Sequence, residues 1–364
     1  MSKENKKKLP KLLRIILWVI GIFLLVVIGY AVYLFGSYKR IDDNQKLEPQ
    51  NVSDLNEVRV GENLTIVTHN IGFGAYTKDY TFFMDGGKES WGDSKESVEN
   101  CVDKVGDMAL SFDPDFVVFQ EVDLNGTRSY HVNEVEKLKE KFPGYSSVFA
   151  QNFDSAFLMY PFTEPHGKNE SGILTLSKYN ITDGLRRSYP ISESITKIID
   201  LDRCFSISRI PTDNGKELVI YNSHLSAYGG SDSIHSRQLQ MLFEDMEKEY
   251  KAGNYVLVGG DFNDDFTDNS LKLLDNLDES PLGWTMPFPT EVLPKGLNRC
   301  IEYDEGKVVP TARNCDVPYE EGNFTVIVDG FVASDNIEVV SVRNIDAGFE
   351  YSDHNPVVME FVLK

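Results

Sequence analysis

Apolar and polar positions along the chain fall into three regimes. From 15 to 35 every residue is uncharged and nearly all are apolar. About 20 such residues span the hydrocarbon core of a bilayer, more than the roughly 7–15 of a secretory h-region. From 36 to 60 the pattern is polar, carries Pro49 and shows little periodicity, as a stalk or linker does. From 61 to 364 short apolar runs alternate with polar ones to the end of the chain.

Within that third regime, runs rich in Val, Ile and aromatics recur at 64–68, 116–119, 147–150, 172–176, 204–210, 218–221, 255–258, 326–332 and 357–363. Their length and flanking turn residues predict strands. Helical spacing predicts helices over 94–112, behind Ser94 as a cap, over 132–142, and over 234–251, where Leu239, Leu242, Phe243 and Met246 share a face. Two stretches read as long loops. One is 72–93, with Phe73, Tyr76, Tyr80, Phe82 and Phe83; the other is 287–323, polar with several prolines. Loops of this length in a compact domain are usually functional or disordered. Strands and helices mixed without strict alternation predict one domain of two packed sheets with helices outside.

Charge adds a direction. The tip, 1–14, carries Lys3, Lys6, Lys7, Lys8, Lys11 and Arg14 against Glu4, while only Lys39 and Arg40 closely follow the apolar run. This asymmetry predicts an uncleaved signal anchor over 15–35, with a cytoplasmic N-terminus and an extracellular domain. The whole chain is −21. Because its first forty residues are basic, the remainder is still more acidic. Such a domain is not drawn to polyanions by its overall field, although a bound divalent ion reverses the potential locally and leaves a nuclease open. Of the 4 cysteines, Cys300 and Cys315 share one polar stretch and are candidates to close it by a disulfide. Unpaired thiols are the alternative, and no C-x-x-C pair points to zinc.

The candidate chemistry sits at strand ends. Asn70 closes the 64–68 run, and Gln120-Glu121 closes 116–119. A carboxylate at such a mouth suits Mg²⁺, which takes one or two carboxylates and keeps waters. Asn222-Ser223-His224 follows 218–221, a place for a histidine that protonates a leaving oxygen or stabilises phosphoryl charge. Gly259-Gly260-Asp261-Phe262-Asn263 follows 255–258, setting a proton acceptor beside a neutral donor. Asp329 lies inside an apolar run and needs a partner. His354, in Ser352-Asp353-His354, is the candidate, with Asp329 fixing its tautomer. Arg128, Arg186, Arg187, Arg203, Arg209 and Arg313 are candidate phosphate contacts, Arg128 foremost because it lies close after Glu121.

Taken in order, Asn70, Gln120-Glu121, Ser171-Gly172-Ile173-Leu174, Asn222-Ser223-His224-Leu225, Gly260-Asp261-Phe262-Asn263, Asp329-Gly330-Phe331 and Ser352-Asp353-His354 resemble the endonuclease/exonuclease/phosphatase superfamily. That superfamily includes deoxyribonucleases and sphingomyelinases. The resemblance covers about 62–364 and implies a four-layered α/β sandwich and Mg²⁺-dependent phosphate-ester cleavage, with Mn²⁺ as the alternative ion. It implies Glu121 as main metal ligand, with Asn70 and Asp353 near the ion. His354, oriented by Asp329, becomes the base or a phosphoryl contact, and Asp261 competes for the base role. Asn263 and His224 stabilise the transition state; Arg128 as the substrate-binding residue rests on its position after Glu121 and not on the resemblance. His69 departs from the pattern, since the family often has an aromatic there. Together with the anchor, this leads us to expect a membrane-bound extracytoplasmic phosphodiesterase acting on a phospholipid or nucleic acid. An extracellular nuclease and a non-catalytic binding module on the same fold are the alternatives.

Overall fold

A computed structural model describes residues 9–198, 200–227, 232–267, 270–274, 285–301 and 308–364. The chain divides into two units at Lys39/Arg40. The first contains α1, Lys11–Ser37, with a mean hydropathy of 2.9 over its most apolar window and no buried residue. By length and composition this helix is able to cross a membrane.

The second unit holds helices α2 (Lys95–Leu110), α3 (Glu134–Lys141) and α4 (Asp232–Lys251). Its strands are β1 (Gln45–Leu47), β2 (Asn63–Asn70), β3 (Phe116–Gly126), β4 (Ser146–Asp154), β5 (Asn169–Ser177), β6 (Asp183–Ser188), β7 (Cys204–Pro211), β8 (Glu217–His224), β9 (Tyr255–Asp261), β10 (Leu297–Cys300), β11 (Ala312–Arg313), β12 (Thr325–Val326), β13 (Asp329–Ser334), β14 (Ile337–Asn344) and β15 (Val357–Leu363). Among the described residues, one sheet runs β1-β6-β7-β8-β9-β13-β10, another β14-β15-β2-β3-β5-β4, and β11-β12 form a small ribbon. Most neighbours are antiparallel, but each large sheet has a parallel pair at its middle, β8 with β9 and β2 with β3.

Those parallel pairs require crossovers, and the helices α2 and α4 supply them. Ser94 caps α2 by accepting from Ser97 N at 3.0 Å, which satisfies one of the free N–H groups of the first turn. Val98, Val102, Val105 and Ala109 then recur at helical spacing and are buried, the last three against Val67, Val117 and Phe119. On the other sheet, Leu239, Leu242, Phe243 and Met246 of α4 pack on Val219, Tyr221, Val256 and Val258. Between the sheets Ile66, Phe116, Val118, Ile220, Leu257, Phe331 and Met359 close a third core. Each such fully buried side chain contributes about 1.5–3 kcal/mol. Helix, sheet, sheet and helix make the expected four-layered α/β sandwich.

Three features depart from the sequence expectation, and of the two readings of Cys300 and Cys315 the unpaired one holds. The stalk expected over 36–60 is for most of its length part of the domain. β1 pairs with β6, Gln50 bridges Ser147, and Val58 is buried beside Thr212. Its apolar positions are too sparse to show as a strand, because an edge strand is held mainly by backbone hydrogen bonds. The run 326–332 is broken between β12 and β13. There the Ile327 and Val328 carbonyls accept from Phe266 N and Phe262 N, and Thr311 Oγ1 accepts from Val328 N and Asp329 N. The loop 287–323 contains β10 and β11, although 302–307 lie outside the described residues. Cys300 and Cys315 form no disulfide. All four cysteines are free and buried, Cys300 in the inter-sheet core and Cys315 among Phe73, Tyr76 and Tyr80.

Candidate active site

The C-terminal ends of both parallel pairs meet at one end of the sandwich. Parallel strands bring Asn70 level with Gln120 and His224 level with Asp261. The antiparallel neighbours start at the same end, placing Asp329 opposite Asp261 and His354 just before β15. Buried amides join the two sheets beneath. Gln120 Nε2 donates to Asn222 Oδ1 at 2.8 Å, and Asn222 Nδ2 donates to the Phe119 and Leu174 carbonyls at 3.1 Å.

Backbone conformation aims two of the side chains. β3 carries a bulge between Phe119 and Val122, and Glu121 within it has φ +55°. Asn263 has φ +53°. Left-handed backbone at a non-glycine residue costs on the order of 1–3 kcal/mol and persists where the surroundings fix it. In β9, Gly260 permits the strand to lie against β8, since a Cβ there would sit 2.0 Å from Ser223 O.

Around this frame the polar groups form one network. Asn70 Nδ2 donates to Glu121 Oε1 at 3.2 Å and Asp261 Oδ2 at 3.0 Å, while its Oδ1 accepts from Gly72 N. Asn70 therefore positions the two carboxylates and turns its own oxygen toward the backbone. Asp261 Oδ2 lies 3.5 Å from His224 Nε2 and 3.8 Å from His354 Nε2, and Glu121 Oε1 is 3.8 Å from His224 Nε2. Asp261 Oδ1 accepts from Asn263 N at 2.9 Å, and Asn263 Nδ2 donates to Leu225 O. His354 Nδ1 is 2.8 Å from Asp329 Oδ2. Asp353 follows Ser352, whose hydroxyl donates to Asn70 O at 2.8 Å.

Burial and proximity set the charges. Burial and then Asp353 push Glu121 above the usual carboxylate range, and burial raises Asp353 as well. Asp261 is raised by burial to about 6. Burial works to lower His354, but Asp329, Asp261 and Asp353 overcome it and hold the ring well above its ordinary value. His224 is driven down by burial, with Arg203 and His354 adding repulsion. One ring thus favours its charged form and the other its neutral form, and both face Asp261.

Arg128 is placed differently from the sequence expectation. Its Nε and Nη2 grip Asp123 at 3.2 and 2.8 Å, its guanidinium stacks on Phe73 at 3.8 Å, and it is buried. Its fork is committed to that pair, so it reaches Glu121 through charge alone. Asp123 and buried Glu134, which accepts from Asp123 N at 2.8 Å, hold this loop, and no spacing in the sequence singled them out. Arg186, Arg187, Arg209 and Arg313 are likewise engaged with protein oxygens. Arg203 differs: it is buried, its charge is felt at His224, and its Nε and Nη1 have no protein partner.

Two mixed sheets flanked by helices, with acidic and histidine side chains converging at the strand ends, define a metal-dependent hydrolase of phosphate esters. The chain belongs to the Endonuclease/Exonuclease/phosphatase family, whose model matches residues 67–354. Among solved structures it is similar to the endonuclease/exonuclease/phosphatase from Beutenbergia cavernae DSM 12333, at 16% identity and TM-score 0.54, covering 83% of this chain and 72% of that one. The corresponding protein from Bacteroides vulgatus shares 17% identity at TM-score 0.52, covering 83% and 100%. The human Nocturnin catalytic domain, solved with a bound sulfate anion, shares 17% identity at TM-score 0.51, covering 87% and 98%. No curated protein matches the chain by sequence.

The donor set fits a divalent cation. Ligand atoms of Asp261, Asp329 and His354 lie within 4.8 Å of one another. Within it, His354 Nδ1 and Asp329 Oδ2 are 2.8 Å apart and occupy each other. Glu121 and Asp353, both raised by burial and Glu121 further by the charge of Asp353, are carboxylates that a cation would stabilise. Hard carboxylate oxygens of this kind suit a divalent cation.

Proposed function

We propose that the chain is a membrane-anchored, extracytoplasmic phosphodiesterase using Mg²⁺, with α1 as a single-pass anchor and the N-terminus cytoplasmic. The observation that carries the catalytic part is the position of Asp261. Its carboxylate faces His224 and His354 at 3.5 and 3.8 Å and is fixed by Asn70 and Asn263. Raised to about 6, it is suited to accept a proton from attacking water near neutral pH.

His354, held by Asp329, presents Nε2 as a charged donor to a phosphoryl oxygen. Neutral His224 and Asn263 stabilise charge as the phosphorus gains its fifth oxygen, with His224 placed to protonate the leaving oxygen. Arg203, buried with unpaired Nε and Nη1 and acting on His224 by charge, is the guanidinium we assign to the field at the phosphate in place of Arg128. Glu121 and Asp353 would hold the ion, positioned by Asn70. A bound divalent ion would supply charge neutralisation at the phosphoryl oxygens. The acidity of the domain favours a zwitterionic phospholipid over a polyanionic nucleic acid.

The test is Mg²⁺-dependent hydrolysis by the purified full chain across phospholipids, sphingomyelin, DNA, RNA, inositol phosphates and a soluble chromogenic diester. Glu121→Ala and His354→Ala serve as controls. We expect phospholipid turnover that falls on the order of 10²–10³-fold in both variants. Turnover of nucleic acid alone would reassign the substrate. No turnover by folded protein that binds metal would leave the binding-module reading.

A further inference from the structure

We propose that the domain docks its active-site end on the bilayer, with Tyr160 and Phe162 seated among the lipid head groups. This inference rests on the membrane-anchor reading above and adds which face of the domain meets the lipid.

The first argument is where the domain begins. β1 runs antiparallel to β6, pairing Gln45 with Arg186. β6 ends where β7 starts, Ser188 opposite Cys204, and β7 starts beside the end of β8, Phe205 opposite Ser223. Residues 40–44 therefore lie at the same end of the sheet as His224. They are fastened there: Arg40 Nη2 donates to Tyr189 O, and Ile41 N donates to Asp202 Oδ2 at 2.9 Å. In sequence α1 ends at Ser37, and three residues of extended chain reach about 10 Å. The chain that follows α1 therefore enters the domain at its active-site end and not at the far end.

The second argument is independent of the tether. β4 and β3 are both antiparallel to β5, so they run parallel, and the loop 155–168 leaves β4 at the end where Glu121 sits. On it Tyr160 is 64% and Phe162 is 81% exposed, and Met84 nearby in sequence to Phe83 is 52% exposed. Ring contacts lead from the site to these residues: Phe73 to Phe82 at 6.2 Å, Phe82 to Phe83 at 4.9 Å, Phe83 to Tyr160 at 5.8 Å and Tyr160 to Phe162 at 5.9 Å. Phe73 itself follows closely after Asn70. Aromatic side chains favour the membrane–water interface. A tethered domain needs little further affinity to stay docked, because the anchor fixes a high local concentration.

The occupant is thus a lipid surface, and the substrate phosphate is one that lies at head-group depth. The test uses the full chain in phosphatidylcholine nanodiscs, labelled with an environment-sensitive fluorophore at Thr163→Cys or, at the opposite end before β2, at Glu62→Cys. The native cysteines are buried and resist labelling. We expect brominated lipid to quench the probe at 163 at least threefold more than that at 62. In a Tyr160→Ser/Phe162→Ser background this difference should fall severalfold. Equal quenching at the two positions in protein retained by the nanodisc overturns the docking and leaves the catalytic reading intact. A probe at 163 that is shielded yet not quenched by lipid places a protein partner there instead and also overturns it. Protein that does not stay with the nanodisc overturns the anchor and the docking together.

Discussion

At the scale of single residues, the site is a set of charges that cannot all be satisfied by one another. Asp329 belongs to this set through His354, at 2.8 Å. Burial alone would lower His354, and carboxylates led by Asp329 raise it. In Asp329→Asn that support is removed, so the pKa of the ring falls toward its ordinary value and the charged form is lost at lower pH. We expect the alkaline limb of the pH–rate profile to move to lower pH and kcat to fall on the order of 10²–10⁴-fold. NMR titration of the ring checks the shift directly, and a profile that drops in height without moving would mean that Asp329 only holds the fold. Asp329 and His354 were legible as a pair because a carboxylate inside an apolar run demands a partner. The assignment of Arg128 was not legible, because its partner Asp123 is a residue type found in any acidic loop.

At the scale of elements, two strand–helix–strand units do the positioning. In each, a parallel pair ends in functional groups, and the crossover helix buries one face on the sheet. Gly260 is the narrowest point, with a Cβ position 2.0 Å from Ser223 O. Gly260→Ala must push β8 and β9 apart. We expect a loss of about 1–3 kcal/mol in denaturant unfolding, with turnover reduced further because Asp261 and His224 separate. β1 supports a second expectation. A chain starting at Glu62 lacks the strand that covers β6 and the buried Val58. A chain starting at Arg40 keeps both. The longer form should be monomeric and cooperative in unfolding, and the shorter form should aggregate through its uncovered edge. Equal behaviour by size-exclusion chromatography and thermal melting would return 40–60 to the status of a linker. Strands with dense apolar runs, such as β2, β8, β9 and β15, were readable in advance. β1, β6 and β10 were not, because edge or polar strands are defined by their neighbours' backbones.

At the scale of the whole molecule, the chain combines a basic tip, an apolar helix and a strongly acidic domain. Acidic groups gathered at one end of that domain make its folded state sensitive to cations. Adding Mg²⁺ should raise the melting temperature, by the equivalent of about 2.7 kcal/mol at a hundred times Kd, and chelator should reverse the gain. The gain should be largely absent in Glu121→Gln, which retains the shape but not the charge. An undiminished gain there would move the ion to Asp261, Asp329 and His354, the alternative donor group.

The sequence by itself determined the apolar helix, the alternating core strands, the helix faces and the residue types at the strand ends. These follow from local periodicity, and from the rule that a polar group beside a buried strand needs a reason to be there. Only the tertiary structure decided which of those groups share a site and which arginine keeps a free edge. It also decided that residues 40–60 belong to the domain and that Cys300 and Cys315 remain apart. Those outcomes depend on strand order, on a bulge at Glu121 and on contacts between residues more than a hundred positions apart, such as Asn70 with Asp261. No local pattern carries that information, because pairing energy is realised only when the sheets close.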